Sequence, residues 1–218
     1  MSEQAVPVRA SQWPALAAAL FNLVPIVGVM FLGWSAFALI FLYWLENLLI
    51  GARTVAAMLS TAVFGATRAA GALAFAAFFT LHYGLFCFVH GMFVVAMFGG
   101  SAYADDSLFD LPATAQALFA REPGLVAGLI TIALWQAVLL VLFIARGEAR
   151  QANPLSLMAQ PYPRLIILHV TIIFGGFIVM LLNQPLWGLV LLALIKAGFD
   201  IAEANGKGPK FSLPAEGG

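Results

Sequence analysis

Between Trp13 and Asp200 the sequence is a succession of long apolar stretches separated by short polar or proline-bearing joints. Six can be placed, running approximately over Trp13 to Leu32, Trp34 to Leu59, Ala70 to Phe98, Gly124 to Ile144, Arg164 to Leu182 and Pro185 to Asp200. At about 1.5 Å of rise per residue, each helix covers most of a hydrocarbon core about 30 Å thick. Lipid offers the backbone no hydrogen bonds, so such runs must satisfy their own N–H and C=O groups as helices. The sequence therefore predicts an all-α fold, a polytopic transmembrane helix bundle of about six spans. The third run is long and the sixth short, so their tilts should differ.

Composition agrees. Hydrophobic residues make up 63% and charged residues 9%, against about 45–50% and about 25% in a soluble domain. The formal net charge is zero, so no basic surface invites nucleic acid. Cys87 is the only cysteine, which excludes an intrachain disulfide and leaves it as a small core residue. The first run follows a short arm, residues 1–12, carrying Glu3 and Arg9. Its length, Pro25 and the near-direct passage through Gly33-Trp34 mark a retained helix rather than a cleaved signal peptide.

Loop charges orient the bundle. Arg9, Arg68, Arg146, Arg150, Arg164, Lys207 and Lys210 fall on one side of a six-span arrangement. Asp105, Asp106, Asp110 and Glu122 fall on the other, with Arg121 the lone basic residue. The positive-inside rule then places both termini in the cytoplasm. Residues 13–200 form one domain, and 201–218 a flexible tail. The outer connection, 99–123, should carry an interfacial helix over about 111–121. There Leu111, Ala115, Leu118 and Phe119 make one apolar stripe after the start signals Asp110 and Pro112. Gly84 and Gly91, one heptad apart, are expected to let helices approach closely.

The functional clue is polar. His82, His90 and His169 all lie inside apolar runs, with Glu46, Arg53, Lys196 and Asp200 in or at the ends of others. Arg, Lys or Asp costs roughly 2.5–3.5 kcal/mol at a helix centre on insertion scales, so such residues usually serve a function. Tyr43, Glu46, Ile50 and Arg53 share one face of the second run. On the third, His82 and His90 differ by roughly 12 Å in height and about 80° in direction, so they do not readily share one metal ion. Counted from the cytoplasmic boundary, Glu46, His82 and His169 fall within roughly 10 Å of one another. By the same count His169 lies about a turn and a half inside that boundary, and His90 stands apart in the outer half.

Imidazole with carboxylate is a ligand set for zinc or iron. The first expectation is therefore a cytoplasm-facing site in which Glu46, His82, His169 and Asp200 hold a divalent metal. Arg53 or Lys196 would grip an anionic substrate group, and Asn47, Tyr83 and His90 would support. An enzyme of this kind would be a metal-dependent membrane hydrolase acting on a lipid-like or other small-molecule substrate. A small proton-coupled transporter could use the same residues as a relay, with Tyr83 and His90 extending it outward. A structural or accessory subunit is the third reading, its polar groups locking helices together. A single haem bridged by His82 and His169 ranks below a non-haem metal.

The stretches Tyr43-Trp44-Leu45-Glu46-Asn47, Leu81-His82-Tyr83-Gly84 with His90-Gly91, and Arg164 through His169 followed by Gly175-Gly176 resemble those of a bacterial membrane family catalogued only as a domain of unknown function. Lys196 and Asp200 match that family's Lys-x-x-x-Asp in the last helix. The resemblance covers nearly the whole chain. It implies an inner-membrane protein and supplies no reaction.

Overall fold

Ser35 opens α1 (Ala36–Ser60), the first helix among the described residues, its hydroxyl accepting from the Ala38 N–H at 3.1 Å. The computed structural model describes residues 35–100, Tyr103, 109–163, Leu165, Ile166, His169, Val170, Ile173 and Gly198. After a 3-10 turn at Thr61–Phe64 come α2 (Ala66–Phe98), α3 (Leu111–Arg121) and α4 (Gly124–Ala145). A second 3-10 turn, Glu148–Arg150, precedes the short α5 (Pro154–Ala159). No strand occurs among the described residues. Among the described residues three helical stretches are long and apolar enough to cross a membrane: Phe37–Phe64, Ala66–Phe98 and Gly124–Ala145. They coincide with the second, third and fourth expected spans. The first span, the N-terminal arm and the tail lie outside the described residues, as do most of the fifth span and all of the sixth but Gly198.

Every side chain from Phe37 to Trp44 is buried, so this part of α1 is enclosed on all sides rather than presenting one apolar stripe. It shares a core with Val94 and Val95 of α2, Leu111 and Leu118 of α3, and Leu125 of α4. α2 runs antiparallel to α1 and buries Ala72, Ala76, Phe79, Tyr83, Cys87, His90 and Val94. These positions alternate in steps of three and four, a single helical face. Two close approaches fix the pair. A Cβ on Gly51 would meet the Tyr83 ring at 2.7 Å, and one on Gly91 would meet the Trp44 ring at 2.7 Å.

The helix ends are held by local chemistry. The Ser35 N–H donates to both carboxylate oxygens of Glu122, at 3.1 and 3.3 Å, which sets an anion at the start of α1. Asp110 caps α3 by accepting from the Ala113 N–H at 2.9 Å, with Pro112 in the first turn. The apolar stripe of α3 faces the protein's own core, closing this end of the bundle. At the opposite end Gly147, in the left-handed region at φ 71°, lets the chain leave α4. There the Arg68 guanidinium donates to the Arg150 carbonyl, and Arg146 pairs loosely with Glu148 at 3.9 Å. One end is thus basic, and the other carries Asp110 and Glu122.

The connector after α4 departs from expectation. Asn153 caps α5, its side chain accepting from the Leu155 N–H at 2.9 Å. Leu157 is buried in a core with Ala57, Met58, Ala76 and Phe79. Tyr162 then lies edge-on to Phe79 and Tyr83 and within 6.0 Å of His82, ring to ring. Between Arg150 and Tyr162 the chain has climbed roughly 15–20 Å along α2, judged by the helical rise of its neighbours. The helical residues from Leu165 onward accordingly start well inside the bundle.

Candidate functional site

The climb decides which histidines meet. His90 projects from the buried face of α2 and is 4% exposed. Its Nδ1 lies 3.0 Å from Nδ1 of half-buried His169, with ring centroids 5.1 Å apart and planes at 53°. One nitrogen carries the shared hydrogen and the other accepts it. Phe86, one turn before His90, contacts both rings, at 6.0 and 5.3 Å between centroids. The placement of His90 apart from other ionisable groups is therefore corrected. Counting depth from Arg164 set His169 too near the basic end, because it left out the climb of the proline-rich connector.

His90 is held firmly. Its neighbour Gly91 lies against Trp44 of α1 and Leu111 of α3. The Trp44 indole N–H donates to the Cys87 carbonyl at 2.7 Å. One turn further along, the Tyr83 hydroxyl donates to the Asn47 carbonyl at 3.1 Å, and the Asn47 amide donates to the Tyr43 carbonyl at 3.1 Å. Asn47 and Tyr83 thus join the helices. His90 Nε2 is buried and has no hydrogen-bond partner among the described residues.

The remaining candidates disperse. His82 is exposed and stacks almost parallel on Phe78, with centroids 5.5 Å apart and 7° between planes. Glu46 is half-buried on α1. Arg53 lines a small cleft with Thr54, Leu140, Phe143, Leu157 and Gln160, between α1, α4 and α5. The Thr54 hydroxyl is engaged by the Ile50 carbonyl of its own helix at 2.9 Å. Lys196 and Asp200 lie outside the described residues. Among the described residues no three His, Cys, Asp or Glu side chains converge as a metal cluster.

One polar residue escaped the sequence reading. Gln136 is buried in the middle of α4, and its Oε1 has no hydrogen-bond partner among the described residues. An inventory of ionisable groups passes over a neutral amide, although a glutamine within so apolar a run is itself a signal.

No curated protein and no solved structure matches the chain. The sequence profile of DUF6498, a family of unknown function, matches residues 4–209, and the chain belongs to that family.

Proposed function

We propose that this chain is a multi-pass protein of a bacterial inner membrane that binds a small cation at the His90–His169 pair and passes it across the bilayer. The observation that carries this reading is the 3.0 Å contact between two imidazoles inside an apolar bundle. As a packing device the pair is a poor choice. Interhelical polar contacts in membranes contribute about 0.6 kcal/mol on average and at most about 1.7. A buried nitrogen left unbonded costs roughly 1–3 kcal/mol. As a cation site the same pair offers two basic nitrogens whose neutral forms carry no charge into the membrane.

Two further features support it. Arg68, Arg146 and Arg150 share one end of the described helices, which the positive-inside rule assigns to the cytoplasm. From that end the connector climbs through the short helix α5 and then breaks helical form at Gln160 and Pro161. Such backbone is tolerated at membrane depth only when packed in protein or lining an aqueous cavity. A small cleft at Arg53, Thr54 and Gln160 lies beside this connector. Glu46 and Asp200 are the carboxylates we assign to balancing the cation.

The test is reconstitution of the full chain in liposomes with entrapped pH-sensitive and zinc-sensitive dyes. Flux of protons or zinc, lost in folded His90→Gln and His169→Gln proteins, is the expected result. Folded wild-type protein that passes neither would remove the carrier reading.

A further inference from the structure

We propose that the cation is a divalent transition-metal ion, held by the Nδ1 atoms of both His90 and His169. This rests on the reading of the pair as a cation site and names what the site takes. The two Nδ1 atoms face each other at hydrogen-bonding distance. With metal–imidazole bonds of about 2.0–2.1 Å, two nitrogens on one ion stand about 2.9 Å apart at a right angle and about 3.4 Å apart at the tetrahedral angle. The observed separation of 3.0 Å lies inside that window. An ion enters once each imidazole turns so that its Nδ1 lone pair points at the metal rather than along the line between the two nitrogens.

The surroundings hold this geometry. His90 stands on a rigid helix face, and its neighbour Gly91 is closed in by Trp44 and Leu111. Phe86 contacts both imidazoles. A histidine kept only for packing would have both nitrogens bonded, as buried polar groups nearly always do. His90 Nε2 is instead buried with no hydrogen-bond partner among the described residues. That observation is independent of the short contact and argues against a packing role.

The proton accounting closes without a redox step. In the neutral pair one ring carries its hydrogen on Nδ1, between the two histidines. Metal uptake moves that hydrogen to Nε2 of the same ring, and each Nδ1 gives its lone pair to the ion. His90 Nε2 can receive it if His90 is the donor. An all-imidazole nitrogen pair favours zinc, iron, nickel or copper over magnesium or calcium, which prefer oxygen. Two nitrogens leave the remaining coordination positions to water, to a carboxylate or to a second ligand.

The experiment uses the full-length protein in nanodiscs, stripped with chelator and titrated with Zn²⁺ alone by equilibrium dialysis. Co²⁺ serves as the spectroscopic probe. One zinc per chain is expected, with visible cobalt bands. Both should be lost, or affinity lowered by about 10–100-fold, in His90→Gln and in His169→Gln proteins whose thermal unfolding matches wild type. Should His90→Gln not fold, half-buried His169 supplies the same readout. A folded wild-type protein that takes up no zinc, or variants that bind as wild type does, would overturn the assignment. If zinc is not bound while proteoliposomes still pass protons through the pair, the metal falls and the cation site stands.

Discussion

A Cβ on Gly91 would stand 2.7 Å from the Trp44 ring, and Trp44 in turn bonds the Cys87 carbonyl one helical turn away. This contact locks α1 to α2 immediately beside His90. Gly91→Ala should destabilise the protein by roughly 1–3 kcal/mol, the usual cost of overpacking. Among the described residues nothing lies within 4 Å of a would-be Cβ on Gly84. Gly84→Ala should therefore be neutral or slightly stabilising, since alanine is the better helix former. Unfolding in mixed micelles, followed by tryptophan fluorescence, separates the two. Equal midpoints would show that the close approach at Gly91 carries no energy.

The end cap makes a second prediction. Asp110 accepts from the Ala113 N–H at the start of α3, and α3 covers the core formed by Trp44, Val94 and Leu118. Asp110→Ala should cost roughly 0.5–2 kcal/mol, as loss of an N-cap does. Asp110→Asn keeps an oxygen acceptor and should recover most of that. If the asparagine variant is as weak as the alanine variant, charge rather than capping is what matters at this position.

The helices were legible in the sequence because their determinants are local. Long apolar runs and Asp110 with Pro112 each carry their information within a few residues. The polar inventory was equally plain, since ionisable groups stand out in apolar runs. Which histidines meet was not. Depth counting assumes that a proline-bearing joint stays outside the bundle, and α5 is too short for its periodicity to register. One signal was present. The buried face of α2 follows Ala72, Ala76, Phe79, Tyr83 and Cys87 to His90. His82 falls about 100° away from Tyr83 on the same helix. Gly84 and Gly91 look alike in sequence, and only the presence of an indole opposite one of them sets them apart.

The climbing connector has its own test. Leu157 is buried between α1 and α2, whereas Ile166, nine residues on, is largely exposed. Leu157→Ala should cost roughly 2–5 kcal/mol, as a cavity in a packed core does. Ile166→Ala should change the same unfolding midpoint little, because its side chain has few protein atoms to lose. If Leu157→Ala is as mild as Ile166→Ala, the connector does not pack into the bundle. The pairing of His169 with His90 would then lose its structural basis.

Zinc affinity distinguishes the two histidine sets directly. Depth counting groups His169 with His82, while the structure faces it with His90 and stacks His82 on Phe78 at an exposed position. Residues that share one ion should share one phenotype. His90→Gln and His169→Gln are therefore expected to lose affinity together, by about tenfold or more, and their double variant to lose little beyond either single one. His82→Gln should instead leave the His169 dependence intact. A zinc site that His82→Gln abolishes and His90→Gln spares would restore the grouping by depth. It would also mean that the chain after Pro163 enters the membrane lower than the contacts of Tyr162 indicate.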